Sequence, residues 1–216
     1  MNWPKHFQQA FCYEFTKRIL DILVATLLTI LFLPFWIIVP ILIYLDSGSP
    51  ILFRHRRLGK DGAEFYLYKF RSMVHNADDI LHNQDKKLLE EFKNGDWKIK
   101  NDPRITKIGK VLRSLTIDEF PQLINVLLGD MSMVGPRAYL QKELDEQSKK
   151  YPETKGYIPL ILSVKPGITG VWQTSGRNEI PFIQRAKIDA AYASRHSIIE
   201  DIVLLFKTPK AMISKW

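Results

Sequence analysis

Two adjacent carboxylates, Asp118 and Glu119, follow Arg113, Ser114 and Thr116 just where the chain enters an apolar stretch of helical spacing. A carboxylate at a helix start is held ionised by the positive end of the helix dipole. An ionised Asp118 can attack a phosphorus atom whose charge a metal and arginines partly neutralise, and Glu119 beside it offers hard oxygens to a divalent cation. Neighbouring residues on a helix point about 100° apart, so the two can take different tasks in one cleft. A second reading is structural. Thr116-Ile117-Asp118-Glu119 has the spacing of a capping box, in which the threonine and the acid satisfy the first N–H groups of a helix. The residues alone leave both readings open.

Chemistry at phosphate also needs cations, and the chain offers Lys69, Arg71, Arg104, Arg113, Arg137 and Arg177 outside its apolar segment. Arginine forks grip phosphate oxygens in bidentate fashion, although each of these residues taken singly reads first as a surface charge. Gly135-Pro136-Arg137 and Ser175-Gly176-Arg177 set an arginine beside a turn, where backbone N–H groups can also face an anion. There is no Walker A loop and no GxGxxG fingerprint, which excludes the common nucleoside triphosphatase and dinucleotide-binding classes. A net charge of +8 and a pI near 9.5 imply an anionic partner. The basic residues interleave with acids and form no nucleic-acid module, so the expected partner is not nucleic acid. The single cysteine, Cys12, excludes an internal disulfide framework and a thiolate zinc site, and suits a reducing compartment with a packing role at the membrane side.

The elements that must position these groups begin with residues 22–45, which are 24 residues without a charge. A hydrocarbon core of about 30 Å needs about 20 apolar residues in a helix, so this is a membrane element. Pro34 near its centre removes a backbone hydrogen bond and clashes with the preceding turn. The halves are then about 12 residues each, roughly 18 Å, too short to cross alone. Lys17 and Arg18 precede the segment and Arg54, Arg56 and Arg57 follow it, so both flanks read as cytoplasmic. A re-entrant hairpin broken at Pro34 meets both observations; a kinked spanning helix stays open on residues alone. Residues 1–16, with Trp3, Phe7, Phe11, Tyr13 and Phe15, suit either the membrane interface or a helix packed on the soluble part.

Further along, strand-like runs on either side of Asp61-Gly62 predict a β-hairpin with Lys69 and Arg71 at the end of its second strand. Residues 75–101 predict a polar surface helix. Residues 118–128 predict a helix closed by Gly129, and residues 138–150 another that ends before Tyr151-Pro152. Residues 164–177 are rich in glycine and turn formers and read as irregular and site-forming. Helices near 180–195 and 198–207 complete the chain.

Taken together, KRILDILVATLLTILFLP, YKFRSM, DPRITKIGKVLRSLTIDEFPQLINVLLGDMSMVGPR and VKPGITGVWQTSGR followed by KIDAAY lie in one order along nearly the whole chain. This pattern resembles the monotopic bacterial sugar transferases, the phosphoglycosyl transferases that act on polyprenyl phosphate. The 75–101 insertion and WQTSGR look most like the undecaprenyl-phosphate galactose phosphotransferase branch, here as a catalytic unit without the extra membrane-spanning region of larger members. The resemblance implies an α/β, mainly α fold: a re-entrant membrane helical hairpin (1–46) joined to a small cytosolic catalytic domain (47–216) with a short β-hairpin and interfacial helices.

The resemblance also implies a ping-pong reaction at the cytoplasmic face of the bacterial inner membrane. Asp118 attacks the β-phosphate of a UDP-sugar, UMP leaves, and polyprenyl phosphate takes the sugar phosphate from the enzyme. Glu119 matches the family's Mg2+ ligand, and Lys69, Arg113 and Arg137 match its basic positions near phosphate. Arg71, Arg104, Gln173, Arg177 and Asp189 complete the expected substrate-binding set. The expected partners are a UDP-sugar, polyprenyl phosphate and membrane lipids, with a homodimer left open. Galactose is the first expected sugar and glucose the second; the product feeds capsule, exopolysaccharide or O-antigen synthesis. Two departures stand out: Pro136-Arg137-Ala138 replaces the usual Pro-Arg-Pro, and Leu33 precedes Pro34 where serine is common.

Overall fold

The structure is a computed structural model that describes residues 5–95, 97, 99, 101–176 and 180–212, with side chains from Cys12 onward. It is mainly helical and carries two small two-stranded sheets. Helix α1 (Lys5–Leu31) and helix α2 (Leu33–Ser47) are separated at Phe32 and bent by 62°. Pro34 lies in the first turn of α2, where its missing N–H would have had no partner anyway; it therefore starts the second helix as well as ending the first. No single helix among the described residues is long and apolar enough to cross a membrane, but this bent pair meets the requirement of length and composition. Leu23, Leu27, Ile30, Leu31, Ile37 and Leu45 are each more than half exposed along it.

Lys17 and Arg18, which read in the sequence as flanking charges, both turn inward. The Lys17 ammonium lies 3.1 Å from Asp21 and 3.3 Å from Asp201. Asp21 also accepts from Ser132 Oγ at 3.0 Å and from the Met133 N–H at 2.9 Å, and Asp201 accepts from the hydroxyls of Tyr192 and Tyr13. Buried charges are tolerable only when paired and hydrogen-bonded, so this cluster fixes one orientation of α1 against the rest of the chain. Arg18 donates to the carbonyls of Val126 and Leu127 at the end of a later helix.

After α2, strands β1 (Leu52–Leu58) and β2 (Glu64–Phe70) pair antiparallel around a tight turn at Asp61 and Gly62, as the turn signal predicts. The polar 75–101 stretch is broken rather than continuous. Helix α3 (Ala77–Asp79) runs into a π turn, and helix α4 (Lys86–Asn94) restarts behind Asp85, whose side chain accepts from the Leu88 N–H. Helix α5 (Lys107–Ser114) approaches the end of β2 through Gly109, where an added Cβ would collide with the Ser72 carbonyl. Only glycine permits that contact.

Residues 118–128 do not form one helix. A 3-10 turn (Ile117–Glu119) precedes Pro121, and helix α6 (Gln122–Leu128) follows, ending at Gly129 with φ +95°. Strand β3 (Ser132–Val134) pairs in parallel with strand β4 (Gly167–Thr169), inside the segment that reads as irregular. Helices α7 (Gln141–Lys150), α8 (Ile158–Leu162), α9 (Val171–Thr174), α10 (Phe182–Arg195) and α11 (Ile198–Met212) complete the order. Val126, Met131, Val134 and Leu123 form the centre of the core between α1, α6 and β3. A second cluster around Tyr139, Leu144 and Phe182 supports α7, α8 and α10.

Candidate functional site

A cleft of about 280 Å³ opens between the ends of β2, α5, the 3-10 turn and α9, and Asp118 and Glu119 both line it. The capping box does not form. Thr116 takes a left-handed backbone (φ +59°), and its hydroxyl donates to the Met212 carbonyl instead of serving the turn that follows. The dyad therefore sits on a tight turn of its own, tied to the end of α11. Asp118 is 6 % exposed, while Glu119 pairs with the Lys69 ammonium at 2.7 Å, both of them partly exposed.

The expected cations separate into groups. Lys69, Arg113 and Arg137 line the cleft. Arg113 donates through Nε to Ser72 Oγ at 2.9 Å, a contact that depends on the close approach at Gly109. Burial pulls its guanidinium below the ordinary arginine value, opposed by Asp118 and Asp102. Arg104 also lines the cleft but is held by Asp102 through two bonds, at 2.9 and 2.7 Å, and by the Ala77 carbonyl. It is a buried strut of the loop. Arg71, expected among the phosphate ligands, points elsewhere: its Nη2 donates to both the carbonyl and the hydroxyl of Ser47 and to the Gly48 carbonyl, at the C-terminal end of α2. Positive charge at the carbonyl end of a helix is favourable, which explains a buried arginine there. Arg177 lies outside the described residues.

Gln173 lines the cleft, and its Oε1 is buried with no hydrogen-bond partner among the described residues; the same holds for Trp172 Nε1, Arg57 Nε and Arg137 Nε. Buried polar atoms normally have hydrogen-bond partners, so four such atoms at one cleft mark a place for a polar ligand. Asp189 does not reach the cleft lining. It is 1 % exposed and accepts from the Arg137 N–H at 3.2 Å and the Tyr139 hydroxyl at 2.9 Å, which makes it a support for Arg137.

Sequence reasoning missed Arg57, His55, Trp172 and Glu143, all of which line the cleft. Arg57 and His55 lie in the basic RHRR run, which reads only as a membrane flank, although their alternation on β1 was a usable signal. Burial and the neighbouring Arg137 push Arg57 down to about 10, so it stays charged at neutral pH. Burial and Arg57 push His55 down to about 4, so its ring is neutral there. Glu143 is 2 % exposed and faces Arg185 at 3.2 Å and Arg57 and Arg137 at 3.9 Å each. Nothing in the local sequence of α7 marks it, because its arginine partners come from β1, the turn before α7 and α10.

Asp189 carries a pH prediction. Burial raises its carboxyl to about 7, against the opposing bonds from Arg137 and Tyr139. Between the unfolded value near 4 and about 7 the folded chain binds more protons than the unfolded one, so stability falls as pH rises across that window. Asp189→Asn keeps an acceptor for both donors and removes the titration. Urea denaturation in mild detergent should show the wild type losing stability relative to the variant from pH 4 to 7, by an amount on the order of a few kcal/mol. Parallel pH profiles would show that Asp189 is charged throughout.

A carboxylate pair facing several cations, next to the break in a bent apolar helix pair, suits a phosphorylated ligand presented beside an apolar surface. The chain matches the bacterial sugar transferase family over residues 12–215 and belongs to it. It is 39 % identical over 210 residues to the undecaprenyl-phosphate galactose phosphotransferase of Salmonella typhimurium, covering 94 % of this chain and 41 % of that protein. The UDP-glucose:undecaprenyl-phosphate glucose-1-phosphate transferase of Klebsiella pneumoniae is 38 % identical over 205 residues, covering 92 % of this chain and 40 % of the relative. The exopolysaccharide production protein ExoY of Rhizobium meliloti is 36 % identical over 201 residues, covering 91 % of this chain and 84 % of the relative. The chain thus spans about two-fifths of the length of the first two relatives and most of the third.

Proposed function

We propose that the chain transfers a hexose-1-phosphate from a UDP-sugar to a polyprenyl phosphate, with the bent helix pair inserted as a re-entrant hairpin in the cytoplasmic face of the bacterial inner membrane. The observation that carries this reading is the placement of Asp118 and Glu119 in a cleft lined by Arg57, Lys69, Arg113 and Arg137, with buried polar atoms lacking hydrogen-bond partners among the described residues beside them. The names of the relatives, which mention galactose, glucose and undecaprenyl phosphate, support the choice of substrates.

In the proposed reaction a carboxylate oxygen of Asp118 attacks the β-phosphorus of the UDP-sugar. The bond from that phosphorus to the bridging oxygen breaks, and UMP leaves with the oxygen and its electron pair. An oxygen of polyprenyl phosphate then attacks the same phosphorus, the aspartyl ester breaks, and the carboxylate is restored. Arg57, Arg113 and Arg137 hold the diphosphate and stabilise charge on its oxygens, a preorganised electrostatic contribution that needs no movement during reaction. The Arg137 guanidinium lies 5.6 Å from the ring centre of Trp172. That cation–π contact keeps the arginine in place.

Mg2+ fits the donor set. It is usually held by one or two carboxylates together with substrate phosphates and water. Glu119, released from Lys69, would hold it, and Lys69 would then be free to meet phosphate. When bound, the ion neutralises diphosphate charge. The described residues offer no cluster of three or more His, Cys, Asp or Glu as an all-protein cage, so phosphate and water would complete the ligand set.

Intact-protein mass spectrometry tests the reading. The detergent-solubilised chain, incubated with Mg2+ and a panel of UDP-sugars without acceptor, should gain the mass of one hexose phosphate, and adding polyprenyl phosphate should remove it. UMP release that needs the acceptor, with no adduct under any condition, would replace the two-step route by direct transfer. No UMP release with any UDP-sugar would overturn the assignment.

A further inference from the structure

A second cavity, also about 280 Å³, adjoins the first, and the two share Glu119 and Gln173 in their linings. Its walls are almost wholly apolar. Val24, Leu28 and Phe32 of the first helix and its end form one side, and Leu205, Pro209 and Met212 of α11 face them. We infer that this groove holds the head-proximal isoprene units of the lipid acceptor, so that the phosphate at the end of the lipid emerges at Glu119 beside Asp118. The inference rests on the transferase reading and adds to it the binding surface for the tail.

Three observations commit the groove to a prenyl tail. The first is continuity: the groove runs along α1 to the break at Phe32, and Glu119 of the carboxylate dyad lines it as well as the cleft. A ligand that fits must be anionic at its head and hydrocarbon behind it. The second is the adjoining side of α11, where Ile199, Ile202 and Phe206 are exposed by 77 %, 38 % and 83 %. These three recur at a helical repeat and so form one apolar stripe. The groove side and this stripe form one broad apolar side of α11, and a helix with such a side lies in the membrane interface with that side in the hydrocarbon. The third is length. The α1 wall carries groove residues from Val24 to Phe32. At the helical rise per residue that wall is roughly 12 Å long, enough for the first few isoprene units and leaving the rest of the lipid in the bilayer.

The groove also connects mechanically to the dyad. The Met212 carbonyl accepts from the Thr116 hydroxyl, and Thr208 of α11 shares a hydrogen bond with Thr169 of β4 at 2.8 Å. A tail that seats α11 therefore acts on the turn that carries Asp118.

The first test is photolabelling of the wild-type chain in nanodiscs with a benzophenone-tagged farnesyl phosphate, followed by peptide mapping. Labels on the peptides that contain residues 24–32 and 205–212, displaced by undecaprenyl phosphate and not by fatty acid, are expected. Labels elsewhere, or labels that fatty acid displaces equally, would overturn the groove as a prenyl site whatever the enzyme's activity. The second test is Leu205→Trp, which fills the groove. It should raise KM for undecaprenyl phosphate by about tenfold or more while KM for the UDP-sugar changes less than about twofold. An unchanged acceptor KM in a folded variant would count against the groove alone. A wild type inert toward every UDP-sugar would instead remove the transferase reading, and the labelling result would still decide the lipid site.

Discussion

Asp118→Asn is expected to lower turnover by about a thousandfold or more, with the protein still folded and the UDP-sugar still bound. Under the proposed route the amide cannot form the phosphosugar ester, so both the mass adduct and UMP release should disappear together. The fold is expected to survive the change: the side chain is 6 % exposed, but asparagine keeps its volume, and Thr116 ties the turn to the end of α11. Loss of the buried charge beside Arg113 should cost about 1 to 3 kcal/mol, which the melt reads separately from turnover. The measurement is steady-state UMP release with donor and acceptor saturating, beside a thermal melt of the same preparation. Activity within tenfold of wild type would move the nucleophile to another residue, and Glu119 would be the next to examine.

The second large effect concerns Glu143, which the sequence does not single out. Its carboxylate is enclosed by Arg185, Arg57 and Arg137 and is 2 % exposed. Removing one member of a buried ion pair leaves an uncompensated charge, a loss of about 3 to 5 kcal/mol. Glu143→Gln is therefore expected to destabilise the fold by about 3 kcal/mol in urea denaturation. It should also raise KM for the UDP-sugar, because Arg57 and Arg137 lose the group that orients them at the cleft. Arg185 supplies the control. It is 1 % exposed and lies 5.6 Å from the ring centres of Trp172 and Phe182, well placed for an apolar replacement. Arg185→Met combined with Glu143→Gln should be less destabilising than the sum of the single changes, with a coupling of about 2 kcal/mol. Strict additivity would show that this pair does not interact and leave Arg57 and Arg137 as the partners of Glu143.

The helix break, the β-hairpin, the end of α6 and the terminal helices were legible because each depends on short-range rules. Pro34 starts a new helix turn, Asp61 and Gly62 reach positive φ at a turn, and Gly129 ends α6 in the left-handed region. The strands β3 and β4 were not legible. At three residues each they show no alternation, and their pairing depends on the approach of residues far apart in the chain. The gap at Asp85 in the 75–101 stretch was hidden for a related reason, since apolar residues at roughly helical spacing on both sides suggest one helix.

For the site, residue types offered the pair of Asp118 and Glu119 and six cations, the family resemblance singled out Lys69, Arg113 and Arg137 among them, and these five residues meet at one cleft. Residue type could not sort the remaining arginines, since every arginine carries the same charge and the same fork. Arg71 caps α2, Arg104 braces Asp102 and Arg57 lines the cleft, and only the packing around each guanidinium decides which.

The family, the bent apolar pair and the carboxylate dyad all follow from the order of residues, because periodicity, proline and a contiguous motif are written in neighbouring positions. Folding in three dimensions was needed to settle which charges face the cleft, that Glu143 gathers arginines from three separate segments, and that an apolar groove ends at Glu119. Those features come from side chains distant in sequence, and their energies depend on burial and on partners that the order of residues does not display.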